Sequence, residues 1–299
     1  MKIAITVNKT DVWFCKICVA SIRYYYPDVP IYLIKDELNG AFSTQEIERY
    51  WQVSLIQFEA KNFGWAAAKI FFLTDERFKG EQFLVIDADI VFTGKLLDVL
   101  MPLANKADLV VSPEPTEDPT ADWVKKTYFD MGVVNATFPQ YQYPGYFFNT
   151  GQLVVTIGCM PKADISYFFD FDGYPHWKRL QDFPLVDQSM LNVLVPIWEQ
   201  SQQLVVDATT PFMLWSEAAV TQTLTLAGVK EGKSHPQLIH WAGALRTPQL
   251  SLMTRSDILQ FFESYYYSRI PFGSITSLLR KCPVVVKNGL RSLYRTIKK

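Results

Sequence analysis

Residues 83–94 read Phe83-Leu84-Val85-Ile86-Asp87-Ala88-Asp89-Ile90-Val91-Phe92-Thr93-Gly94, and their reading decides the fold. The run is short, rich in β-branched and aromatic side chains, and bounded by Lys79-Gly80 and Thr93-Gly94, as in a strand buried on both faces. Two carboxylates lie inside it. Burying an unpaired carboxylate is strongly unfavourable, and two close together also repel each other. Asp87 and Asp89 are two apart, so in an extended chain both side chains leave one face. A divalent cation seated between those acids and an anionic ligand offsets the penalty, and hard oxygen donors suit Mg²⁺ or Mn²⁺. The simpler reading is a strand that stops at Ile86, with two acids at a turn.

Outward from this strand, apolar runs and helical spacings alternate. Residues 2–7 read as a strand, 12–26 as a helix stopped by Pro27, 29–34 as a strand, 44–51 as a helix, 54–58 as a strand and 66–73 as a helix. Such alternation implies a parallel sheet with helices on both faces, and ligands bind beyond the carboxyl ends of its strands. Asn8, at the end of the first strand, and Asp87/Asp89 then share one rim. The loop Asn8-Lys9-Thr10-Asp11 has no glycine, so neither a dinucleotide fingerprint nor a phosphate-binding P-loop applies.

Further strands are expected at 109–111 and 153–155. Residues 113–146 are poorly periodic and read as long loops with short helices. Asn149-Thr150-Gly151 is a tight polar entry whose glycine permits a close approach. Asp187 opens a helix, where it can serve as an N-cap or a first-turn acid, and this leaves Gln188 free to face a cleft. An apolar strand ends at His240, followed by Gly243 and Arg246, a candidate metal ligand and a candidate phosphate clamp. His176 and His235 read as structural.

Composition sets the bounds. With 299 residues, 49% hydrophobic and 20% charged, the chain can bury a large core. A net charge of −1 gives no general field for nucleic acid. Cys15 and Cys18 fall in the first helix with no second pair to complete a zinc set, so buried thiols in a reducing compartment are expected. No signal peptide and no membrane-spanning run is read. Residues 256–267 read as an aromatic helix. Beyond it, residues 280–299 hold seven basic residues and no acid, with Leu290, Leu293, Tyr294 and Ile297 at helical spacing: a basic amphipathic segment suited to a membrane surface.

Taken in order, the strand ending near Asn8, Asp87-x-Asp89, Phe148-Asn149-Thr150-Gly151, Asp187-Gln188-x-x-Leu191-Asn192 and His240-x-x-Gly243-x-x-Arg246-x-Pro248 resemble glycosyltransferase family 8. That is the group of glycogenin and the bacterial lipopolysaccharide galactosyl- and glucosyltransferases. The resemblance spans roughly residues 1–248. It implies an α/β, GT-A type, Rossmann-like sheet, mixed but mostly parallel and flanked by helices. Residues 1–250 would form the catalytic domain, and residues 251–299 a helical basic segment. Asp87, Asp89 and His240 would hold Mn²⁺ or Mg²⁺ against the diphosphate of a nucleotide sugar, most simply a UDP-sugar. Thr6, Val7 and Asn8 would line the uridine and ribose pocket. Lys69, Ala88, Gly243 and Arg246 would complete the donor site. Asn149, Asp187 and Gln188 would surround the donor sugar and carry catalysis.

The implied activity is transfer, with retention of configuration, to a saccharide or lipid-linked acceptor in envelope polysaccharide synthesis. The implied location is cytoplasmic or peripheral at the inner face of the cell membrane. An inverting transferase and a catalytically silent sugar-binding relative are the alternatives. The chain departs from the family pattern in having Lys69 for the usual Arg, Arg246 for the usual Lys, and Gln249 for a Trp.

Overall fold

A computed structural model of the chain describes residues 1–64, 66–172, 176–232, 237–273 and 275–277. The basic segment at 280–299 and His235 lie outside the described residues.

In chain order the first half comprises β1 (Lys2–Asn8), α1 (Val12–Tyr25), β2 (Ile31–Asp36), α2 (Gln45–Trp51), β3 (Val53–Ile56), α3 (Ala67–Leu73), β4 (Gln82–Asp87), β5 (Ile90–Phe92), α4 (Leu96–Ala104) and β6 (Leu109–Val110). Then follow β7 (Pro113–Pro115), α5 (Asp122–Thr127), α6 (Met131–Thr137), β8 (Tyr146–Phe148), β9 (Gln152–Thr156), α7 (Lys162–Ile165) and α8 (Val186–Gln200). The chain continues through β10 (Val206–Asp207), β11 (Met213–Trp215), α9 (Ala219–Thr223), α10 (Leu226–Glu231), β12 (Leu238–His240) and α11 (Ser256–Ser268).

The main sheet runs β10-β6-β9-β4-β1-β2-β3. It is parallel except at β9, which lies antiparallel between β4 and β6. The expected mixed, mostly parallel sheet is therefore present. Strand β4 sits at its centre with Phe83, Leu84, Val85 and Ile86 fully buried. Its two faces feed two cores: Leu84 and Ile86 pack with α1, while Phe83 and Val85 pack with α3 and α8. Burial on both sides explains the unbroken apolar run, and each such side chain contributes roughly 1.5–3 kcal/mol.

The sequence expectation differs from the structure at the two acids. Strand β4 ends at Asp87, a turn covers Ala88 and Asp89, and β5 begins at Ile90 in another sheet, ordered β11-β12-β5. The two acids are thus not successive same-face residues of one strand. The unreadable stretch 113–146 also hides a pairing: β7 lies antiparallel to β8, with Glu114 opposite Phe147.

Cys15 and Cys18 are free and fully buried within α1, as expected of core thiols. Helix α11 packs onto α1, where Tyr24 meets Phe261, Phe262 and Tyr265 edge-on, and Tyr266 stacks on Trp51. Among the described residues, no helix is long and apolar enough to cross a membrane.

Candidate active site

The register of the main sheet places Asn8 beside Asp36 and Thr6 beside Asp87, so the ends of β1, β2 and β4 form one rim. Strand β12 lies antiparallel to β5 with His240 opposite Ile90, and the Trp241 amide donates to the Asp89 carbonyl at 3.1 Å. That pairing delivers the imidazole to the acids. One ligand atom each from Asp87, Asp89 and His240 lie within 4.8 Å of one another. His240 Nε2 is 3.2 Å from Asp89 Oδ1, and its ring stacks on Trp215 at 5.7 Å. Its buried Nδ1 has no hydrogen-bond partner among the described residues.

Arg246 supplies a cation to the other oxygen, Asp89 Oδ2, and lies 3.6 Å from Asp11 Oδ1. Burial opposes charge on Asp89, yet His240 and Arg246 outweigh it and hold the carboxyl down at about 2. Asp89 is therefore a carboxylate at neutral pH. Asp87 accepts from Thr6 Oγ1 at 2.7 Å and faces Lys69 Nζ at 3.0 Å.

Lys69 ties the acids to the elements behind them. Its buried ammonium also reaches the Thr150 carbonyl at 2.7 Å and Asp187 Oδ2 at 3.2 Å. Burial disfavours the ammonium, but Asp87 and Asp187 together raise its pKa above the usual lysine value. Asp187, by contrast, is raised by burial despite Lys69. It lies in the first turn of α8 as a first-turn acid, but not at the N-cap position, which Leu185 fills. Its carboxylate instead takes Lys69 and Thr150 Oγ1. The chain enters α8 through buried Val186 at φ 34°, a costly angle for a β-branched residue. The Lys69–Asp187 pair and the surrounding core hold that entry in place.

Gln188 is fixed at both ends of its amide. Its Oε1 accepts from Asn149 Nδ2 at 2.7 Å, and its Nε2 donates to the Thr127 carbonyl at 3.1 Å. Asn192, one turn on, brackets the Phe148 backbone and so ties α8 to β8. Gly151 allows the whole assembly to close. A Cβ there would meet His240 Cε1 at 2.3 Å, Asn149 Oδ1 at 2.7 Å and Asp87 Oδ2 at 3.0 Å.

The structure thus brings together Thr6, Lys69, Asp87, Asp89, Asn149, Asp187, Gln188, His240 and Arg246. Asn8 lies on the rim, but its amide is engaged locally, donating to Asp11 Oδ2 and accepting from Thr10. Val7 is buried and packs with α1. Ala88 is buried in the turn between the acids, and Gly243 takes φ 70° on the segment leading to Arg246. His176 is held by the Asp170 carbonyl at 2.8 Å among Phe71 and Phe169, a packing role.

Two residues of the site carry no signal of their own in the sequence. Asp11 stands in a loop that reads only as polar. Glu114 lies within an aperiodic Pro-Glu-Pro. Its Oε2 accepts from Trp215 Nε1 at 3.0 Å, and burial raises its pKa.

The mixed, mostly parallel sheet with its flanking helices matches the GT-A glycosyltransferase fold. Solved structures that share it include two glycosyltransferases. The bifunctional glycosyltransferase WbbM, in its apo form, is 15% identical with a TM-score of 0.56, covering 94% of this chain and 51% of its own. The galactosyltransferase LgtC, in complex with donor and acceptor sugar analogues, is 12% identical with a TM-score of 0.52, covering 91% of this chain and 98% of its own. The chain spans about half the length of WbbM and nearly all of LgtC. At these identities the likeness is one of fold. The sequence matches no protein-family model and no curated protein.

Proposed function

We propose that this chain is a metal-dependent glycosyltransferase, moving a sugar from a nucleotide sugar, most simply a UDP-sugar, to a saccharide or lipid-linked acceptor. The observation that carries the reading is the convergence of Asp87, Asp89 and His240 beside Lys69, Asp187, Asn149 and Gln188 on one rim. LgtC, which shares the fold, was solved with donor and acceptor sugar analogues, and this supports the same two partners here.

The donor set fits a divalent cation. It offers two carboxylates and an imidazole, with a glycine cradle that a side chain would fill. Mn²⁺ suits mixed oxygen and nitrogen ligands, with Mg²⁺ as the alternative. When bound, such an ion acts as a Lewis acid on the leaving diphosphate. The chain's own residues do the rest. Arg246 binds phosphate, Gly243 lets the backbone approach it, and Thr6, Val7, Asn8 and Ala88 border the nucleoside. Lys69 and Thr150 fix Asp187, which holds sugar hydroxyls. Gln188, clamped by Asn149 and Thr127, presents a rigid amide toward the anomeric carbon.

The family resemblance implies retention; an inverting route would use Asp187 as its base, and of that carboxylate only Oδ2 is engaged, by Lys69 and Thr150. The silent-relative reading is disfavoured by the intact set of acids, His240 and Arg246. Within this proposal the product belongs to envelope polysaccharide synthesis, and the chain acts in the cytoplasm at the inner membrane face. Exposed Phe272 and Ile275 lead into the seven basic residues of 280–299, a sequence suited to an anionic leaflet. Liposome flotation of the chain cut at Pro283 tests the anchor: unchanged binding would rule the segment out. Release of UDP from UDP-sugars, with and without Mn²⁺, tests the activity.

A further inference from the structure

One acid of the proposed cation site, Asp89, is already paired with a cationic side chain of the protein itself. Asp89 is buried, yet both of its oxygens are occupied: Oδ1 by His240 Nε2 at 3.2 Å, and Oδ2 by Arg246 Nη1. The same Nη1 lies 3.6 Å from Asp11 Oδ1. Asp11 is in turn held by Asn8 Nδ2 at 2.8 Å. Arg246 is more than a third exposed, and it stands on a segment that begins at Gly243, whose φ is 70° and whose Cβ position is open. An arginine so placed has room to leave. A divalent cation and Arg246 cannot share Asp89 Oδ2 without strong repulsion at that distance.

We propose that Arg246 is a displaceable internal cation, parked on Asp89 by Asp11, and that it makes metal binding and nucleotide binding depend on each other. Asp11 is the positioning residue of this device. While it is seated on Asp89, Arg246 shields that acid and weakens capture of a free dication. A diphosphate arriving with the ion gives the guanidinium a bidentate anionic partner, draws it off Asp89, and completes the site. Metal alone then binds weakly, and nucleotide strengthens it. By linkage, the metal strengthens nucleotide binding by the same factor. This inference rests on the proposed metal site, but it concerns the order of filling and not the reaction.

The test is Mn²⁺ binding to the full chain, followed by electron paramagnetic resonance, without and then with UDP. The proteins are wild type, Arg246→Gln, Asp11→Asn and the double variant, each first shown to melt cooperatively. Arg246→Gln is expected to bind Mn²⁺ alone about tenfold more tightly than wild type, because one adjacent positive charge is gone. Asp11→Asn removes a negative charge near the ion, so when added to Arg246→Gln it weakens binding. With Arg246 present it also loosens the parked guanidinium, so its effect shifts toward tighter binding. The two effects should differ by about threefold or more, the non-additivity of a coupled pair.

Equal or weaker Mn²⁺ binding by Arg246→Gln overturns the inference and leaves the metal site standing. Strict additivity of the cycle overturns the role of Asp11 as the parking residue. Absence of Mn²⁺ binding in every protein, even with UDP present, overturns both this inference and the proposed metal-dependent function.

Discussion

The ammonium of Lys69 lies 3.2 Å from Asp187 Oδ2, with both side chains in the interior, and the same nitrogen faces Asp87 Oδ1 at 3.0 Å. One lysine therefore joins the acid-bearing rim to the helix that carries Asp187 and Gln188. Removing it leaves a buried carboxylate without its counter-charge. Lys69→Met is expected to destabilise the unliganded chain by about 3–5 kcal/mol, and Lys69→Met/Asp187→Leu to recover much of that loss. Urea unfolding of both variants checks this. A single-variant loss below about 1 kcal/mol would show that water reaches the pair.

In the proposed function Asp87 serves the ligand more than the fold. Its side chain is about one-third exposed, and Lys69 keeps Asp187 when Asp87 is changed. Asp87→Asn should abolish transfer, a fall of about a hundredfold or more to background, because the proposed Lewis-acid contribution is lost. Melting should stay cooperative, with a stability change of about 1 kcal/mol or less. Kinetics paired with calorimetry separate the roles, since loss of cooperativity would make the acid structural.

Gly151 is the tightest point of the site. A methyl group there would lie 2.3 Å from His240 Cε1 and 2.7 Å from Asn149 Oδ1. Gly151→Ala should push the imidazole off the acids, weaken Mn²⁺ binding by about tenfold or more, and cost roughly 1–3 kcal/mol in stability. Titration with Mn²⁺ and a melting curve measure both. Unaltered metal affinity would mean that His240 is not a ligand.

Asp89 gives a pH signature. Its folded carboxyl titrates at about 2, below the ordinary 3.8, through His240 and Arg246 acting against burial. A lowered carboxyl pKa stabilises the fold above the unfolded value and loses that stability as pH falls through the folded one. In metal-free protein the contribution is about 2 kcal/mol, present above about pH 4 and lost progressively toward about pH 2. Asp89→Asn should flatten that part of the stability curve. A variant curve parallel to that of wild type through the window would contradict the pairing.

The sheet is legible in the sequence because β4 and β1 are buried on both faces, and continuous apolar runs survive in the sequence as such. The site is legible where a residue type is costly unless it is used: Asp87, Asp89, His240 and Arg246 all fall in that class. What stays hidden depends on long-range pairing. The turn that separates β4 from β5 is invisible in a run that reads as one strand, because Ala88 is small and Asp89 alternates correctly with Asp87. Strands β7 and β8 are three residues each and far apart in the chain, too short for any period. Asp187 reads only as an acid at a helix start because that role is local, whereas its partner Lys69 lies on α3. Asp11 and Glu114 gain meaning only when Arg246 and Trp215 arrive beside them.

The most direct measurement is the rate of UDP release from a panel of UDP-sugars by the purified chain, first in EDTA and then with Mn²⁺ restored, alongside Asp87→Asn. The expected result is turnover of at least one sugar nucleotide with Mn²⁺, none above background in EDTA, and none in the variant under either condition. Turnover that is equal with and without the ion, or that survives in Asp87→Asn, would contradict a dication-bearing acid pair at the centre of this protein.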